Sequence, residues 1–125
     1  DIAYEANSYD LLKYMAQKNI PIEINLASNE FILKVKENRH PFTLYKEFNV
    51  PIVISTDDAG ILRTNMTEQY VLLAKRYPDV SYATIKKYVY NSINYSFIQD
   101  EAVKKQLIKD LDNRFKTFEA KFSKN

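Results

Sequence analysis

Two adjacent carboxylates stand at the end of a β-branched run, where Val50-Pro51-Ile52-Val53-Ile54 leads into Ser55-Thr56-Asp57-Asp58. In α/β proteins, ligands and catalytic groups collect beyond the carboxyl ends of parallel strands, where the loops converge. Adjacent side chains there point in different directions. One carboxylate can therefore bind a cation while its neighbour accepts a hydrogen bond. The same pair also suits a plainer task, in which Asp57 or Asp58 caps the loop over residues 59–64. Leu26-Ala27-Ser28-Asn29-Glu30 ends the preceding strand in a similar way. Polar groups at two consecutive strand ends are what a shared pocket needs.

His40 is the only histidine and precedes Pro41 at a helix start. Its ordinary reading is a hydrogen-bonding loop residue, although an imidazole can also act as acid or base. Other chemistry is missing from this sequence. It has no cysteine, so disulfides, thiolate metal sites and a cysteine nucleophile are excluded. A phosphate-binding glycine loop, a Gly-x-Ser-x-Gly elbow and His-Glu-x-x-His are also absent. The tyrosines Tyr82, Tyr88, Tyr90 and Tyr95 could stack on bases, but their spacing fits amphipathic packing better.

The elements that must position these groups follow from periodicity and punctuation. Residues 8–19 read as a helix, capped by Ser8, with Leu11, Leu12, Met15 and Ala16 on one face. Asn19 and Pro21 end it. Residues 20–27 alternate as a strand, residues 28–39 read as a long polar connection, and Pro41 opens a short helix that Asn49 closes. Residues 50–55 form a second strand whose continuous apolar run suggests burial on both faces, as in a parallel sheet. Together these make a right-handed βαβ unit. The remainder is helical, from 65 or 67 to 77, from 81 to about 97, and from about 100 to 121. Ile85, Val89, Ile93 and Phe97 recur at helical spacing, as do Val103, Leu107, Leu111, Phe115, Phe118 and Phe122.

The 125 residues match the size of one domain, and 46% hydrophobic and 14% aromatic content is enough for a core. No apolar run reaches the ~20 residues that span a bilayer, and the first residues lack the features of a signal peptide. The basic residues of the last helix alternate with acids, so neither a nucleic acid nor a membrane partner is expected. A parallel pair with open edges is an unfinished sheet, which points to part of a larger αβ repeat.

Taken together, Ser55-Thr56-Asp57-Asp58, Met66-Thr67-Glu68-Gln69-Tyr70 and Asn91-Ser92-Ile93-Asn94-Tyr95-Ser96-Phe97 resemble the C-terminal region of the adenosine deaminase family. That family has Ser/Asn-Thr-Asp-Asp-Pro after its eighth strand, then an acid-and-tyrosine helix, then a helix with Asn-(Ala/Ser)-x-x-x-Ser-Phe. Ile24-Asn25-Leu26-Ala27-Ser28-Asn29 resembles its seventh strand, and His40-Pro41 its His-Pro pair. The agreement covers roughly residues 20–98, and the tail is similar to the closing helix of the adenosine-deaminase-related growth-factor branch.

The resemblance implies an α/β fold, namely the last two βα units of a (β/α)8 TIM barrel followed by C-terminal helices. Residues 1–125 would form a single incomplete unit. It implies that Asp57 is the carboxylate ligand of a catalytic zinc and that Asp58 hydrogen-bonds the purine near N7. The implied reaction is hydrolytic deamination, in which a metal-activated water attacks C6 of adenosine and ammonia leaves.

Two departures qualify this. Ala59-Gly60 stands where the family has proline, and the histidine ligands, the acid/base glutamate and a His-x-His motif are missing. A complete barrel needs about 250 residues. The chain is therefore expected to be inactive alone and to associate with the rest of its barrel or with itself. Its expected small-molecule partner is a purine nucleoside. Another amino-purine, or a non-catalytic helical binding module, are the alternatives.

Overall fold

The computed structural model describes residues 2–36 and 39–122. After a short 3-10 turn at Ile2–Tyr4, helix α1 (Ser8–Lys18) buries Leu12 and Met15. Asn19 ends it in the left-handed conformation, its N–H reaching back to Ala16 and the Ile20 N–H to Met15. Asn7 rather than Ser8 holds the cap position and makes no side-chain capping bond. The Ser8 N–H is already satisfied by the Glu5 carbonyl at 3.0 Å.

Strands β1 (Ile22–Ile24) and β2 (Ile52–Ile54) pair in parallel, Ile22 beside Ile52 and Ile24 beside Ile54. Between them lie α2 (Leu26–Leu33) and α3 (Phe42–Glu47), which completes the expected βαβ unit. The strand expected over 20–27 is cut short because the chain turns into α2 at Leu26, so much of the expected polar connection is helix. That helix hides from sequence reasoning for a physical reason. Its last three residues, Phe31, Ile32 and Leu33, are consecutive and exposed, only Leu26 and Ser28 are buried, and Asn25 gives no side-chain cap.

One face of the sheet carries the core. Ile24, Ile52 and Ile54 pack there with Leu12, Phe42, Tyr45, Leu73, Tyr77 and Tyr88. The opposite face presents Glu23 beside Val53, exposed and half-buried respectively. Burial of the second strand on both faces is therefore met on one face only within this chain.

The rest is helical. α4 (Ala59–Leu62) occupies what reads as a loop, and Arg63 closes it in the left-handed conformation. α5 (Met66–Arg76) begins at Asn65, whose side chain accepts the Glu68 N–H at 3.0 Å, and buries Gln69 and Leu73. α6 (Tyr82–Asn94) is capped by Ser81 and ends before Phe97, which lies fully exposed in the following connection.

The fully buried residues of α6 are Tyr88 and Asn91, and of its apolar stripe Ile85 packs at the edge of the core. Ile85 and Val89 line an apolar groove with Leu111, Phe115 and Phe118 of α7 (Glu101–Phe122). No residue of α7 is fully buried. It is held by an aromatic seam, in which Phe115 stacks on Tyr90 at 5.6 Å and Phe118 on Tyr82 at 6.2 Å. Tyr90 adds a 2.5 Å bond to Asp112, which lifts its phenol to about 12. Lys86 pairs with Glu119 at 2.6 Å. No described helix is long and apolar enough to cross a membrane.

Candidate functional site

The two strand ends meet at Asp57. The Ser55 N–H donates to the Ile24 carbonyl at 3.0 Å, which ties the ends of β2 and β1 together. One residue past Thr56, the backbone of Asp57 adopts φ 55°, a left-handed conformation that Asp and Asn tolerate better than most residues. Its N–H donates to Ser55 Oγ at 3.2 Å. Its carboxylate Oδ2 accepts from Ser28 Oγ at 2.6 Å. Ser28 is only 2% exposed and stands at the start of α2, directly beyond β1. The shared pocket suggested by two polar strand ends is thus a bond between them, 29 residues apart in sequence.

The capping role open to the two aspartates is not taken by either carboxylate. Asp58 occupies the cap position of α4 but makes no side-chain capping bond. Asp57 stabilises the turn with its carbonyl, which accepts the Ala59 N–H at 3.0 Å. Both side chains stand exposed beyond the sheet.

A residue that sequence reasoning passed over supports this region. Gln69 is 1% exposed. Its Oε1 accepts the Ala27 N–H at 3.3 Å, and its Nε2 donates to Thr64 Oγ1 at 3.0 Å. One buried amide thus ties the segment carrying Ser28 to the segment that follows Asp57 and Asp58. The available signal was a polar residue four before Leu73, on the buried side of α5.

His40 belongs to the scaffold. Its Nδ1 accepts the Phe42 N–H at 3.2 Å, so its proton sits on Nε2, which donates to Asn29 Oδ1 at 2.9 Å. Burial, and then the nearby Arg76 guanidinium, lower its pKa from 6.5 to about 4. At neutral pH it is an uncharged clamp between α2 and α3. Arg76 itself pairs with Glu30, which also meets Lys36 at 3.7 Å.

Among the described residues no three His, Cys, Asp or Glu side chains cluster closely enough to hold a metal. At the two strand ends the Asp57 carboxylate is an oxygen donor of the kind a metal takes. Ser28 holds one of its oxygens, and no described residue bonds the other. A carboxylate oxygen fits Zn²⁺, but further ligands are required for a complete site.

Residues 4–114 match the family model described as adenosine deaminase. The chain belongs to the adenosine deaminase family. It is 33% identical to human N6-methyl-AMP deaminase over 97 residues, which is 77% of this chain and 27% of that protein. It is 27% identical to the adenosine deaminase of Clostridium kluyveri over 103 residues, covering 82% of this chain and 29% of that one. The crystal structure of Arabidopsis ADAL complexed with IMP superposes with a TM-score of 0.74 at 25% identity, over 88% of this chain and 31% of that one. The chain therefore spans under a third of the length of each of these family members. Its described residues form a helix-rich α/β unit with a small parallel sheet.

Proposed function

We propose that this chain forms the seventh and eighth βα units and the C-terminal helices of a (β/α)8 barrel hydrolase, which removes the amino substituent at C6 of a purine nucleoside or nucleotide. The observation that carries the reading is the Ser28–Asp57 hydrogen bond across two adjacent parallel strand ends, where barrel enzymes place their chemistry. Residues 1–125 make a single incomplete unit. Its bare sheet face and open strand edges are covered by the rest of the barrel, or by another copy when the chain is alone.

In this reading Asp57 supplies one oxygen ligand to zinc, and Ser28 orients it by holding the other oxygen. When bound, the zinc supplies Lewis acidity that makes water nucleophilic at neutral pH. Asp58, one residue on and with its carboxylate free of protein partners among the described residues, hydrogen-bonds the purine near N7. Gln69 keeps the two strand-end segments in register. The remaining metal ligands and the acid/base group come from the parent protein outside this chain, so the chain alone is inactive.

The relatives named for N6-methyl-AMP and the relative with IMP bound favour a second form of the same reading, in which the substrate carries a 5′-phosphate and an N6-methyl group. A non-catalytic helical binding module is the alternative from another class.

Ultraviolet-monitored deamination by the zinc-loaded full-length parent tests these together, with adenosine and N6-methyl-AMP as substrates and Asp57→Ala as the control. Activity on either substrate, lost in the mutant, supports the family chemistry and the ligand. Wild-type turnover in Asp57→Ala removes the ligand assignment. A folded, zinc-loaded parent inactive on both substrates leaves another amino-purine or the binding module.

A further inference from the structure

Five described non-glycine residues have positive φ: Asn19, Lys34, Asn49, Asp57 and Arg63. Asn19, Lys34 and Arg63 terminate α1, α2 and α4, and Asn49 directly follows the end of α3. Asp57 alone of the five follows a strand, β2, so no preceding helix end requires that conformation. Holding a non-glycine residue there costs free energy, and such strain persists only where the surroundings over-determine it. Two hydroxyls do so. Ser28 takes the carboxylate at 2.6 Å, and Ser55 takes the backbone N–H at 3.2 Å. Ser55 is itself fixed, because its N–H closes the sheet on the Ile24 carbonyl.

We propose that Ser55 is a positioning residue for Asp57: by accepting the Asp57 N–H, its hydroxyl holds the left-handed turn that aims the carboxylate at Ser28 and out over the strand ends. This inference rests on the reading of Asp57 as a zinc ligand. The bond is a side-chain turn, in which an oxygen on residue i accepts the N–H of residue i+2. Serine and asparagine both supply that acceptor, and alanine does not. Without it, the Asp57 backbone relaxes toward negative φ and the carboxylate leaves the line set by Ser28. Second-layer contacts of this kind are worth about 10–100-fold in metal affinity.

The test is zinc affinity of the full-length parent, measured by competition with a chromogenic chelator, with thermal unfolding of the zinc-free protein as a check on folding. Ser55→Ala is expected to weaken zinc binding about tenfold or more, and Ser55→Asn to restore it, because its amide oxygen can accept the same N–H. A merely structural role would lower the unfolding midpoint without this rescue of affinity. Asp57→Ala is measured alongside. If it keeps wild-type zinc affinity, the ligand reading falls and this inference with it. If it loses zinc while Ser55→Ala binds as wild type does, the ligand reading stands and the role of Ser55 is overturned. Should Ser55→Ala fail to fold, the isosteric pair Ser55→Thr and Ser55→Val decides, since they differ only in the hydroxyl. Equal affinities in that pair refute the inference, and tighter binding by the threonine variant supports it.

Discussion

His40 makes this part of the protein sensitive to acid in a way that can be worked through. The imidazole is 7% exposed, its Nδ1 is filled by the Phe42 N–H, and its Nε2 proton is given to Asn29. Protonating Nδ1 removes the acceptor for a buried backbone N–H and places a cation near Arg76. Burial first, and the Arg76 guanidinium second, hold the folded pKa at about 4, against 6.5 for an unhindered histidine. The folded value is depressed, so the unfolded chain takes up a proton first. The stabilisation is full above about pH 6.5 and is lost as the pH falls from there toward 4. At pH 5 the linkage amounts to about 2 kcal/mol before screening, and to about 1–2 kcal/mol once residual solvent contact is allowed for. Urea unfolding of the full-length parent at pH 7 and pH 5, wild type against His40→Gln, isolates this contribution because every other histidine is common to both proteins. The wild type should lose about 1–2 kcal/mol more than the variant. Parallel losses in the two proteins would show that His40 titrates normally, and the tautomer argument would fail with it.

The other predictions concern positions around the strand ends and the last helix. Gln69→Leu should destabilise the parent by about 1–3 kcal/mol, because it strands the Ala27 N–H. Gln69→Glu should cost less, since the Thr64 hydroxyl can turn to donate, and equal losses by chemical denaturation would contradict this. Asp58→Asn should weaken substrate binding more than zinc binding, a split read from KM and chelator competition, and equal loss of both would undo the assignment of roles. Ala59→Pro should be tolerated within about 1 kcal/mol, because proline suits a first helical position and Asp58 already lies outside the α region with ψ 69°. A larger drop in thermal midpoint would show that the Ala59 N–H bond to the Asp57 carbonyl matters more than this. Phe115→Ala removes the stack on Tyr90 and the Lys86 cation contact, so limited proteolysis between α6 and α7 should speed up. Unchanged cleavage would mean that the other seam contacts hold α7 without it.

The legible parts of the sequence were those where a residue type has one physical use. Asn19, Asn49, Pro78 and Ser81 punctuate helices where they should, and the β-branched run ending in Ser55 is the second strand. The placement of Asp57 and Asp58 beyond that strand followed directly. What stayed hidden depends on long-range partners. α2 has no apolar face of its own, and its first turn is satisfied by Gln69 from α5, which no local pattern announces. Ile85 and Val89 have the right period but line the groove against α7, while the fully buried residues of the same helix are Tyr88 and Asn91. Periodicity reports that a helix has an apolar side, not which neighbour takes it. The bond from Ser28 to Asp57 needs the sheet register, and that register fixes itself only when the two strands meet.

Asn91 has a consequence for how the sheet can err. Its side-chain amide donates to the Ile52 carbonyl at 2.7 Å. The Pro51 carbonyl accepts from Ile22 and the Ser55 N–H donates to Ile24, so the alternate residues Ile52 and Ile54 present their backbone groups to the opposite side of β2. On that side α6 already holds the Ile52 acceptor, so any strand added there, the neighbouring strand of the barrel included, must share or displace the Asn91 bond. β1 carries no such plug on its outer edge among the described residues. Misassembly through strand addition should therefore begin at β1, which makes the two borders of this small sheet unequal in their hazard as well as in their chemistry.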